Sequence, residues 1–341
     1  MSGLFGIVCN NNCISDLYYG TDYHSHLGTE FGGIAFFNEN GIPVKKIHDI
    51  SNSQFKSKFY EGSDKITCNL GIGVISDKDP QPLTFESKFG PFALCCAGLV
   101  TNKDELVNML INKGISFSEL DRGETNTTEL IAHLINQEDN IVEGIERMYD
   151  KIVGSVSLLL LTKDGIYCAR DRNGVTPLVI AEKNGTVAVT SESCSLPNLG
   201  FDIKKFITPG EIVFLSQRGI EQKKEGINEN KICAFLWIYT GFPASSYEGI
   251  NVEKVRENCG KFLAKRDNVE VDLISGVPDS GTSHAIGYAM ESGKPFRRVL
   301  VKYTPGYGRS YTPPSQEVRD KIALMKLIAN DEIVKDNNII L

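Results

Sequence analysis

One stretch in the second half of the chain has the residue types and spacing of a phosphate-binding loop. It is Val277-Pro278-Asp279-Ser280-Gly281, which follows an apolar strand pattern ending at Leu273 and precedes Thr282–Ser292, where apolar residues recur at helical spacing. A strand, a tight loop and a helix in this order direct backbone N–H groups and a helix N-terminus at one point, which favours phosphate or pyrophosphate. On spacing alone, an ordinary helix-start turn explains the same residues.

The cysteines and histidines predict neither a disulfide framework nor a metal site. The nine cysteines include no Cys-x-x-Cys pair, and most lie in apolar runs, so we expect reduced, buried thiols. The histidines have no metal-ligand spacing, and His24 with His26 is typical of a helix end near a loop. We predict that Ile232–Tyr239 is a strand in which Cys233 is a small buried residue.

Length and charge restrict the domain count and the class of partner. A single core rarely grows beyond about 250–300 residues, so 341 residues predict two domains. We place their boundary in the polar run Gln222–Lys231, which gives domains at 1–230 and 231–341. A net charge of −7 without a basic run argues against nucleic-acid binding. There is no apolar run of ~18 residues and no N-terminal signal, so we expect a cytoplasmic protein without membrane contact.

The stretch Gly165–Glu192 is the most informative part of the first half. Apolar runs flank the polar segment Arg170-Asp171-Arg172-Asn173-Gly174, which predicts strands joined by a tight turn and contains a candidate ion pair. A plain hairpin explains this pattern equally well, because Asn-Gly turns between apolar runs are common. The residue order is more specific. Arg-Asp, a glycine three residues on, Pro177-Leu178 and Ser191-Glu192-Ser193 resemble the class II glutamine amidotransferases.

This resemblance implies that the first half has the α+β fold of the N-terminal nucleophile hydrolases, an αββα sandwich of two antiparallel sheets between helix layers. Local patterns predict helices at Thr128–Ile135, capped by Thr125 or Asn126, and at Ile141–Met148. They also predict a strand at Val153–Leu161. Ile203–Leu215 and then Gly219–Gln222 are expected to form a closing pair of strands, with Pro209-Gly210 as the turn.

The resemblance also implies a glutamine site, but its reactive positions are altered. In the family, a cysteine directly after the initiator methionine attacks glutamine with its own amino group as the base, and this chain has Ser2, a weaker nucleophile. Four further positions of the glutamine site are altered. Ser76 replaces an arginine that holds the glutamine carboxylate, and Ala97, followed by Gly98, replaces an oxyanion-binding asparagine. Thr127 replaces an aspartate, and Leu27 replaces a further arginine. Losing one oxyanion donor alone costs about 10²–10³ in rate. We therefore expect a retained fold without glutaminase activity.

The second half resembles the amidophosphoribosyltransferase family of purine biosynthesis. The resemblance implies an α/β domain, of which the chain holds part of a type I phosphoribosyltransferase parallel sheet. It assigns pyrophosphate binding to Pro278, Asp279, Ser280 and Gly281, with Ser280 also approaching Mg²⁺. It further implies that Lys302 and a loop bearing Gly308, Arg309 and Tyr311 close over the substrate, whereas composition alone is typical of a disordered surface loop.

The remaining expectations concern the end of the chain. Patterns predict strands at Val299–Tyr303 and from Asn338, and a helix at Gln316–Ala329. In the family an acidic pair and an Arg-Gly-Thr loop that bind ribose and the 5-phosphate come next, so we expect a truncated chain that is inactive as it stands. Some members hold a 4Fe–4S cluster whose first ligand corresponds to Cys233. Such a cluster needs about four cysteines, and the others would lie beyond residue 341.

Two functions follow from these interpretations. The first is an enzyme, expected to be a homo-oligomer with possible nucleotide feedback ligands, that makes phosphoribosylamine from phosphoribosyl pyrophosphate. Its nitrogen would come from ammonia, free or delivered by a partner glutaminase. The second is a non-catalytic pseudo-enzyme that serves as a regulatory or scaffold module.

Overall fold

The computed structural model describes residues 2–28, 30–38, 40–51, 53–59, 66–121, 123–303 and 315–341. These residues form two compact units, 1–233 and 234–341. Within the described ranges, no helix has the length and apolar character needed to cross a membrane.

The described residues of unit 1 form fifteen strands and six helices. The strands are β1 (Gly3–Val8), β2 (Phe31–Phe37), β3 (Pro43–Asp49), β4 (Leu70–Ser76), β5 (Leu83–Phe85), β6 (Phe92–Val100), β7 (Leu120–Asp121), β8 (Glu124–Thr125), β9 (Gly154–Thr162), β10 (Gly165–Ala169), β11 (Val179–Lys183), β12 (Thr186–Thr190), β13 (Asp202–Phe206), β14 (Ile212–Ser216) and β15 (Gly219–Lys224). The helices are α1 (Ile14–Asp22), α2 (Phe55–Phe59), α3 (Lys103–Asn112), α4 (Thr127–Ile135), α5 (Ile141–Lys151) and α6 (Ser195–Leu199).

Two antiparallel sheets form the centre of unit 1. The first has the order β13-β11-β12-β1-β4-β2-β3, and the second has the order β15-β14-β10-β9-β6-β5. Apolar side chains from both sheets, among them Leu4, Val74 and Leu159, pack together between them. The outer face of the first sheet packs against α1 and α2, and that of the second against α3, α4 and α5. The predicted αββα sandwich is therefore confirmed.

The chain crosses from one sheet to the other between β10 and β11. Because these strands belong to different sheets, the hairpin interpretation of Gly165–Glu192 is wrong. The connection is organised by the buried carboxylate of Asp171, which accepts hydrogen bonds from the backbone N–H groups of Asn173, Val175 and Thr176 at 3.0–3.2 Å and from the Ser157 hydroxyl at 3.3 Å. These bonds satisfy donors that have no strand partner at this point.

A second crossing corrects the predicted closing pair of strands. The segment Ile203–Leu215 is two strands, β13 in the first sheet and β14 in the second, and only β14 and β15 pair with each other. The buried Glu211 carboxylate accepts hydrogen bonds from the backbone N–H and the hydroxyl of Thr208, both at 2.9 Å. The guanidinium of Arg170 donates to the Ile207 carbonyl oxygen at 2.5 Å, which ties this crossing to the one after β10.

The two predicted helices of unit 1 are confirmed, with small shifts at their ends. Helix α4 begins at Thr127, and of the two candidate caps it is Asn126 whose side chain accepts a hydrogen bond, from the Thr128 N–H at 2.8 Å. Helix α5 continues to Lys151, three residues beyond the predicted end. Its N-cap is Asn140, which accepts from the Glu143 N–H at 2.9 Å.

The described residues of unit 2 form four α-helices and three short strand pairs. The strands are β16 (Ser246–Tyr247), β17 (Ile250–Asn251), β18 (Leu273–Ile274), β19 (Leu300–Lys302), β20 (Leu327–Ala329) and β21 (Ile339–Ile340), and the helices are α7 (Val252–Ala264), α8 (Thr282–Ser292), α9 (Gln316–Lys326) and α10 (Asp331–Val334). Strands β18 and β21 pair in parallel, as expected for a phosphoribosyltransferase-like sheet. Strand β19 pairs antiparallel with β20.

Two predictions for unit 2 are wrong. The run Ile232–Tyr239 is not a strand, since Leu236–Thr240 forms a π-helical turn. The buried Arg256 side chain holds this turn by donating to the carbonyl oxygens of Trp237 and Gly241 at 2.7 and 2.8 Å. The predicted helix Gln316–Ala329 ends at Lys326, because its last three residues pair with β19. Apolar periodicity does not separate a short strand from a helix segment.

We predict that Asp171→Asn destabilises the protein by about 2–4 kcal/mol, because an amide nitrogen would face backbone donors in a buried site. The free energy of unfolding, from urea titration followed by far-UV circular dichroism, measures the effect. Asp164→Asn, in the exposed turn before β10, is the matched control and should change it by less than about 0.5 kcal/mol. Equal stabilities of the two variants would contradict the role of Asp171.

Candidate functional site

The first candidate site lies where β1 begins and β4 ends. The two strands are antiparallel and pair Gly3 with Ile75, so Ser2 and Ser76 occupy adjacent positions at one end of the first sheet. The Ser2 hydroxyl lies 3.5 Å from the Ser76 hydroxyl, which is almost completely buried. The structure therefore brings together two of the predicted glutamine-site positions, and both hold neutral hydroxyl groups.

A buried glutamine side chain, Gln81, connects this pair of serines to the second sheet. Its amide nitrogen donates to the Ser76 hydroxyl at 3.3 Å and to the Cys96 carbonyl oxygen at 3.0 Å. Its amide oxygen accepts from the Cys96 N–H at 2.8 Å and from the Thr128 hydroxyl at 3.0 Å. Sequence reasoning missed Gln81, since an isolated amide in a connection between strands belongs to no periodic pattern.

The positions expected to bind an oxyanion lie on β6. The Ala97 side chain is 2% exposed and packs in the core between the sheets, so it offers no donor. Gly98 has φ +150°, and a Cβ atom there would lie 1.9 Å from the Ser155 carbonyl oxygen. Close approach of β9 therefore requires glycine at this position, independently of any role in catalysis.

Two further altered positions lie on neighbouring elements. Thr127 is the first residue of α4, and its N–H donates to the Asp79 carboxylate at 3.3 Å. Leu27 follows α1 and is 5% exposed. An apolar side chain thus fills the place where the resemblance implies a cation.

A buried histidine, His24, lies directly behind the start of β1. A Cβ atom at Gly3 would lie 2.5 Å from the His24 Cβ atom, so glycine is required there. The two ring nitrogens of His24 hydrogen bond with the Gly20 carbonyl oxygen at 2.9 Å and the Thr190 hydroxyl at 3.0 Å. Burial lowers the pKa of His24 from its ordinary 6.5 to about 4, although the Glu192 carboxylate acts in the opposite direction.

The neighbouring His26 pairs with the buried Glu192 carboxylate. Its Nε2 atom lies 3.1 Å from Oε2 of Glu192, and its Nδ1 atom lies 3.1 Å from the Tyr23 carbonyl oxygen. With a partner at each ring nitrogen, His26 is positioned as a structural link between the end of α1 and the segment after β12. The sequence-based placement of His24 and His26 at a helix end is confirmed.

The second candidate site, in unit 2, is the loop between β18 and α8. The Gly281 N–H donates to the Val277 carbonyl oxygen at 3.0 Å, which closes the loop directly before the helix. A Cβ atom at Gly276 would lie 2.7 Å from the Gly281 carbonyl oxygen, so this close approach requires glycine. Ser280 is half-buried in this turn, and the Pro278–Asp279 peptide bond is cis.

A cation faces this loop from β19. The ammonium group of Lys302 lies 2.6 Å from the Asp279 carboxylate. The Asp279 side chain is 74% exposed, so this ion pair can exchange partners with solvent or ligand at little cost. Arg309, Tyr311 and Gly308 lie outside the described residues.

Helix α8 is held in place by close packing on α7. A Cβ atom at Gly260 would lie 1.9 Å from the His284 carbonyl oxygen, and one at Gly287 would lie 1.9 Å from the Glu257 carbonyl oxygen. The two helix backbones are thus in direct contact. In addition, the Ser283 hydroxyl donates to the Glu253 carboxylate at 2.6 Å. These contacts position the N-terminus of α8 and the loop before it.

The residues present are suited to one of the two predicted metal sites, the Mg²⁺ site at Ser280, and not to the iron–sulfur site at Cys233. Asp279 and Ser280 offer a carboxylate and a hydroxyl oxygen, donors that Mg²⁺ accepts when phosphate and water complete its shell. Cys233 is exposed, not buried as predicted. In the part of the chain that the structure describes, no three His, Cys, Asp or Glu residues are placed to hold a metal ion. The residues present therefore do not fit an iron–sulfur cluster, which needs about four cysteines.

Comparison with known proteins agrees with this picture. A family model described as a glutamine amidotransferase domain matches residues 67–198. The amidophosphoribosyltransferase of Methanocaldococcus jannaschii is 31% identical to this chain and aligns with 100% of it and with 77% of the relative. That of Bacillus subtilis is 30% identical over 99% of this chain and 72% of the relative.

The chain belongs to the amidophosphoribosyltransferase family. Solved structures of the family superpose closely on it. Glutamine phosphoribosylpyrophosphate amidotransferase from Bacillus subtilis, complexed with ADP and GMP, gives a TM-score of 0.87 at 30% identity, over 99% of this chain and 74% of that one. A structure described as the allosteric regulatory enzyme of purine biosynthesis gives 0.86 at 30% identity, over 99% and 73%. The predicted family and fold class are confirmed.

We predict that His24 makes the stability of the protein depend on pH. Its pKa is lower in the folded state, so its contribution is complete above pH 6.5 and decreases as the pH falls towards 4. The loss amounts to about 3 kcal/mol. The free energy of unfolding, from denaturant titrations, should decrease between pH 7 and pH 4 in the unmodified protein. In His24→Gln this decrease should be smaller by about 3 kcal/mol.

The partly exposed His48, whose ring packs on Phe59, provides the matched control. His48→Gln should keep the pH dependence of the unmodified protein. If His24→Gln shows the same decrease as the other two proteins, burial of a neutral imidazole does not account for the pH dependence.

Proposed function

We propose that this protein is an amidophosphoribosyltransferase of purine biosynthesis that uses ammonia and does not hydrolyse glutamine. Ammonia would attack C1 of phosphoribosyl pyrophosphate, the bond from C1 to the pyrophosphate oxygen would break, and the new amine would lose a proton. Membership of the family, at about 30% identity along nearly the whole chain, supports the transferase activity.

The observation that carries the transferase half of the proposal is the loop before α8 together with Lys302. The first N–H groups of a helix have no intrahelical acceptor, and the helix dipole adds positive potential there. Lys302 supplies a full positive charge 2.6 Å from Asp279 at the same loop. A pyrophosphate group in this position would meet N–H donors that the packing of α8 on α7 holds in place, together with the ammonium group of Lys302.

Bound Mg²⁺ would neutralise part of the pyrophosphate charge and so improve the leaving group. Asp279 and Ser280 are the residues of this chain that would contact the ion, alongside the substrate's own oxygens. Lys302 would then transfer its ion pair from Asp279 to the substrate. Arg309 and Tyr311 are proposed to cover the substrate, as the family resemblance implies.

The loss of glutaminase activity is supported by the chemistry of unit 1. The positions that would bind and attack glutamine hold hydroxyl or apolar side chains: Ser2, Leu27, Ser76, Ala97 and Thr127. A zwitterionic amino acid needs opposite charges for its carboxylate and ammonium groups, and these side chains supply none. The N-terminal sandwich then has a structural role.

The comparisons also bear on ligands and on the alternative function. The Bacillus subtilis structure is a complex with ADP and GMP, and we propose that purine nucleotides bind to this protein and regulate it. The relatives reported above are named as enzymes, which gives no support to the pseudo-enzyme alternative.

We predict that the full-length protein releases pyrophosphate from phosphoribosyl pyrophosphate and Mg²⁺ with ammonium chloride at alkaline pH, and not with glutamine. A coupled pyrophosphate assay measures both rates, with the Bacillus subtilis enzyme as the glutamine-dependent control. Ser2→Cys should remain inactive with glutamine, because Ser76, Ala97 and Thr127 are unchanged. Release with glutamine would refute the loss of glutaminase activity, and no release with either donor would refute the transferase proposal.

We also predict that Lys302→Gln lowers kcat/KM for phosphoribosyl pyrophosphate by about 10–100-fold, because the substrate loses a charge-assisted contact. Initial rates with ammonium chloride at several substrate concentrations give this value. Lys294→Gln, an exposed lysine between α8 and β19, is the matched control and should change it less than about twofold. Similar losses in both variants would indicate a general charge effect and not a contact at the loop.

A further inference from the structure

The imidazole ring of His284 joins helix α8 to the loop that precedes it. His284 is the third residue of α8 and is half-buried. Its Nδ1 atom lies 3.2 Å from the Ser280 carbonyl oxygen. A carbonyl oxygen only accepts hydrogen bonds, so Nδ1 carries the hydrogen and donates it. Side chains on a helix lean towards its N-terminus, and this direction brings the ring of His284 back onto the loop.

This hydrogen bond holds one side of the peptide unit between Ser280 and Gly281. The other side is held by the Gly281 N–H, which donates to the Val277 carbonyl oxygen at 3.0 Å. Glycine has the greatest backbone freedom of all residues, so this point of the loop can rotate unless both polar groups of the peptide unit are engaged. The orientation of Ser280 therefore depends on the ring of His284.

The same bond leaves N–H groups at the start of α8 open to a ligand. The N-cap residue is Gly281, which has no side chain to accept from them. Among the residues that the structure describes, the N–H groups of Ser283 and His284 have no hydrogen-bond acceptor. In a helix that began earlier, the His284 N–H would donate to the Ser280 carbonyl oxygen. Here the imidazole donates to that oxygen, and two N–H groups face the loop, where an anion can accept from them.

The backbone of His284 is fixed by the packing of the two helices. A Cβ atom at Gly260 of α7 would lie 1.9 Å from the His284 carbonyl oxygen, so the helices touch at this residue. On the preceding residue, the Ser283 hydroxyl donates to the Glu253 carboxylate at 2.6 Å. The ring thus projects from a fixed backbone position, and its hydrogen bond fixes the loop relative to both helices.

We propose that His284 is a positioning residue for pyrophosphate, which orders the loop before α8 through its hydrogen bond to the Ser280 carbonyl oxygen. This inference rests on the proposed transferase function. The imidazole acts through the loop, by holding the Ser280 hydroxyl and the N–H groups of Ser283 and His284 where the pyrophosphate binds. Without this bond, part of the binding free energy would be used to order the loop. Pyrophosphate binding should then weaken by about 3–10-fold, the effect of one neutral hydrogen bond.

The test compares two variants of opposite character in the full-length protein. His284→Phe keeps a planar ring but has no donor, and it should weaken the binding of pyrophosphate with Mg²⁺ by about 3–10-fold. His284→Asn loses the ring but places an amide nitrogen where Nδ1 lies, and it should bind within about twofold of the unmodified protein. Isothermal titration calorimetry gives both dissociation constants. In rate measurements with ammonium chloride, KM for phosphoribosyl pyrophosphate should follow the same order, with little change in kcat.

The order of the two variants separates positioning from packing. If the ring only filled space, His284→Phe would bind normally and His284→Asn would be weakened. Normal binding by His284→Phe, or equal losses in both variants, would overturn the proposal. His284→Leu, which also lacks a donor, replaces the phenylalanine variant if that one does not fold. A different result, no binding of pyrophosphate to the unmodified protein, would refute the transferase function and this inference with it.

Discussion

Unit 1 depends on buried polar side chains at the places where the chain leaves one sheet for the other. Among the described strands such crossings follow β4, β10 and β13. At each, the backbone loses its strand partners, and a buried side chain replaces them: Gln81 at the first, Asp171 with Arg170 at the second, and Glu211 at the third. An unsatisfied buried backbone group costs about 1–3 kcal/mol, so each of these side chains stabilises the crossing at which it lies.

The sequence predicted the layers of unit 1 well, because its helices carry clear periodic and capping signals. Helices α4 and α5 were predicted within a few residues, and Asn126 was one of two predicted caps. The crossings could not be predicted from local pattern. An Asn-Gly turn after Ala169 is compatible with a hairpin, and only the partners of Asp171 and Arg170 decide that the next strand joins the other sheet. These hydrogen bonds are tertiary contacts, which the local sequence pattern does not specify.

The candidate sites were predicted to a similar extent. Resemblance to known families indicated Ser2, Ser76 and the loop at Asp279, and the structure places the two serines side by side. His24 could be placed at a helix end, but its burial against Gly3 depends on packing that no spacing encodes. In unit 2, the run Ile232–Tyr239 was misassigned because its conformation depends on a distant arginine, Arg256. A short apolar run is compatible with either a helix or a strand, and its tertiary partners determine which of the two it forms.

The hydrogen bonds of Gln81 have a consequence for how such a protein changes over generations. Gln81 makes four hydrogen bonds. Two are to the main chain of Cys96, one is to the Thr128 hydroxyl and one is to the Ser76 hydroxyl, so only the last involves an altered position. Replacing side chains at positions 2, 97 or 127 leaves this anchor intact. The stabilisation that Gln81 gives to the scaffold is therefore independent of the side chains at these three positions, so substitutions there need not bring the protein below its stability threshold.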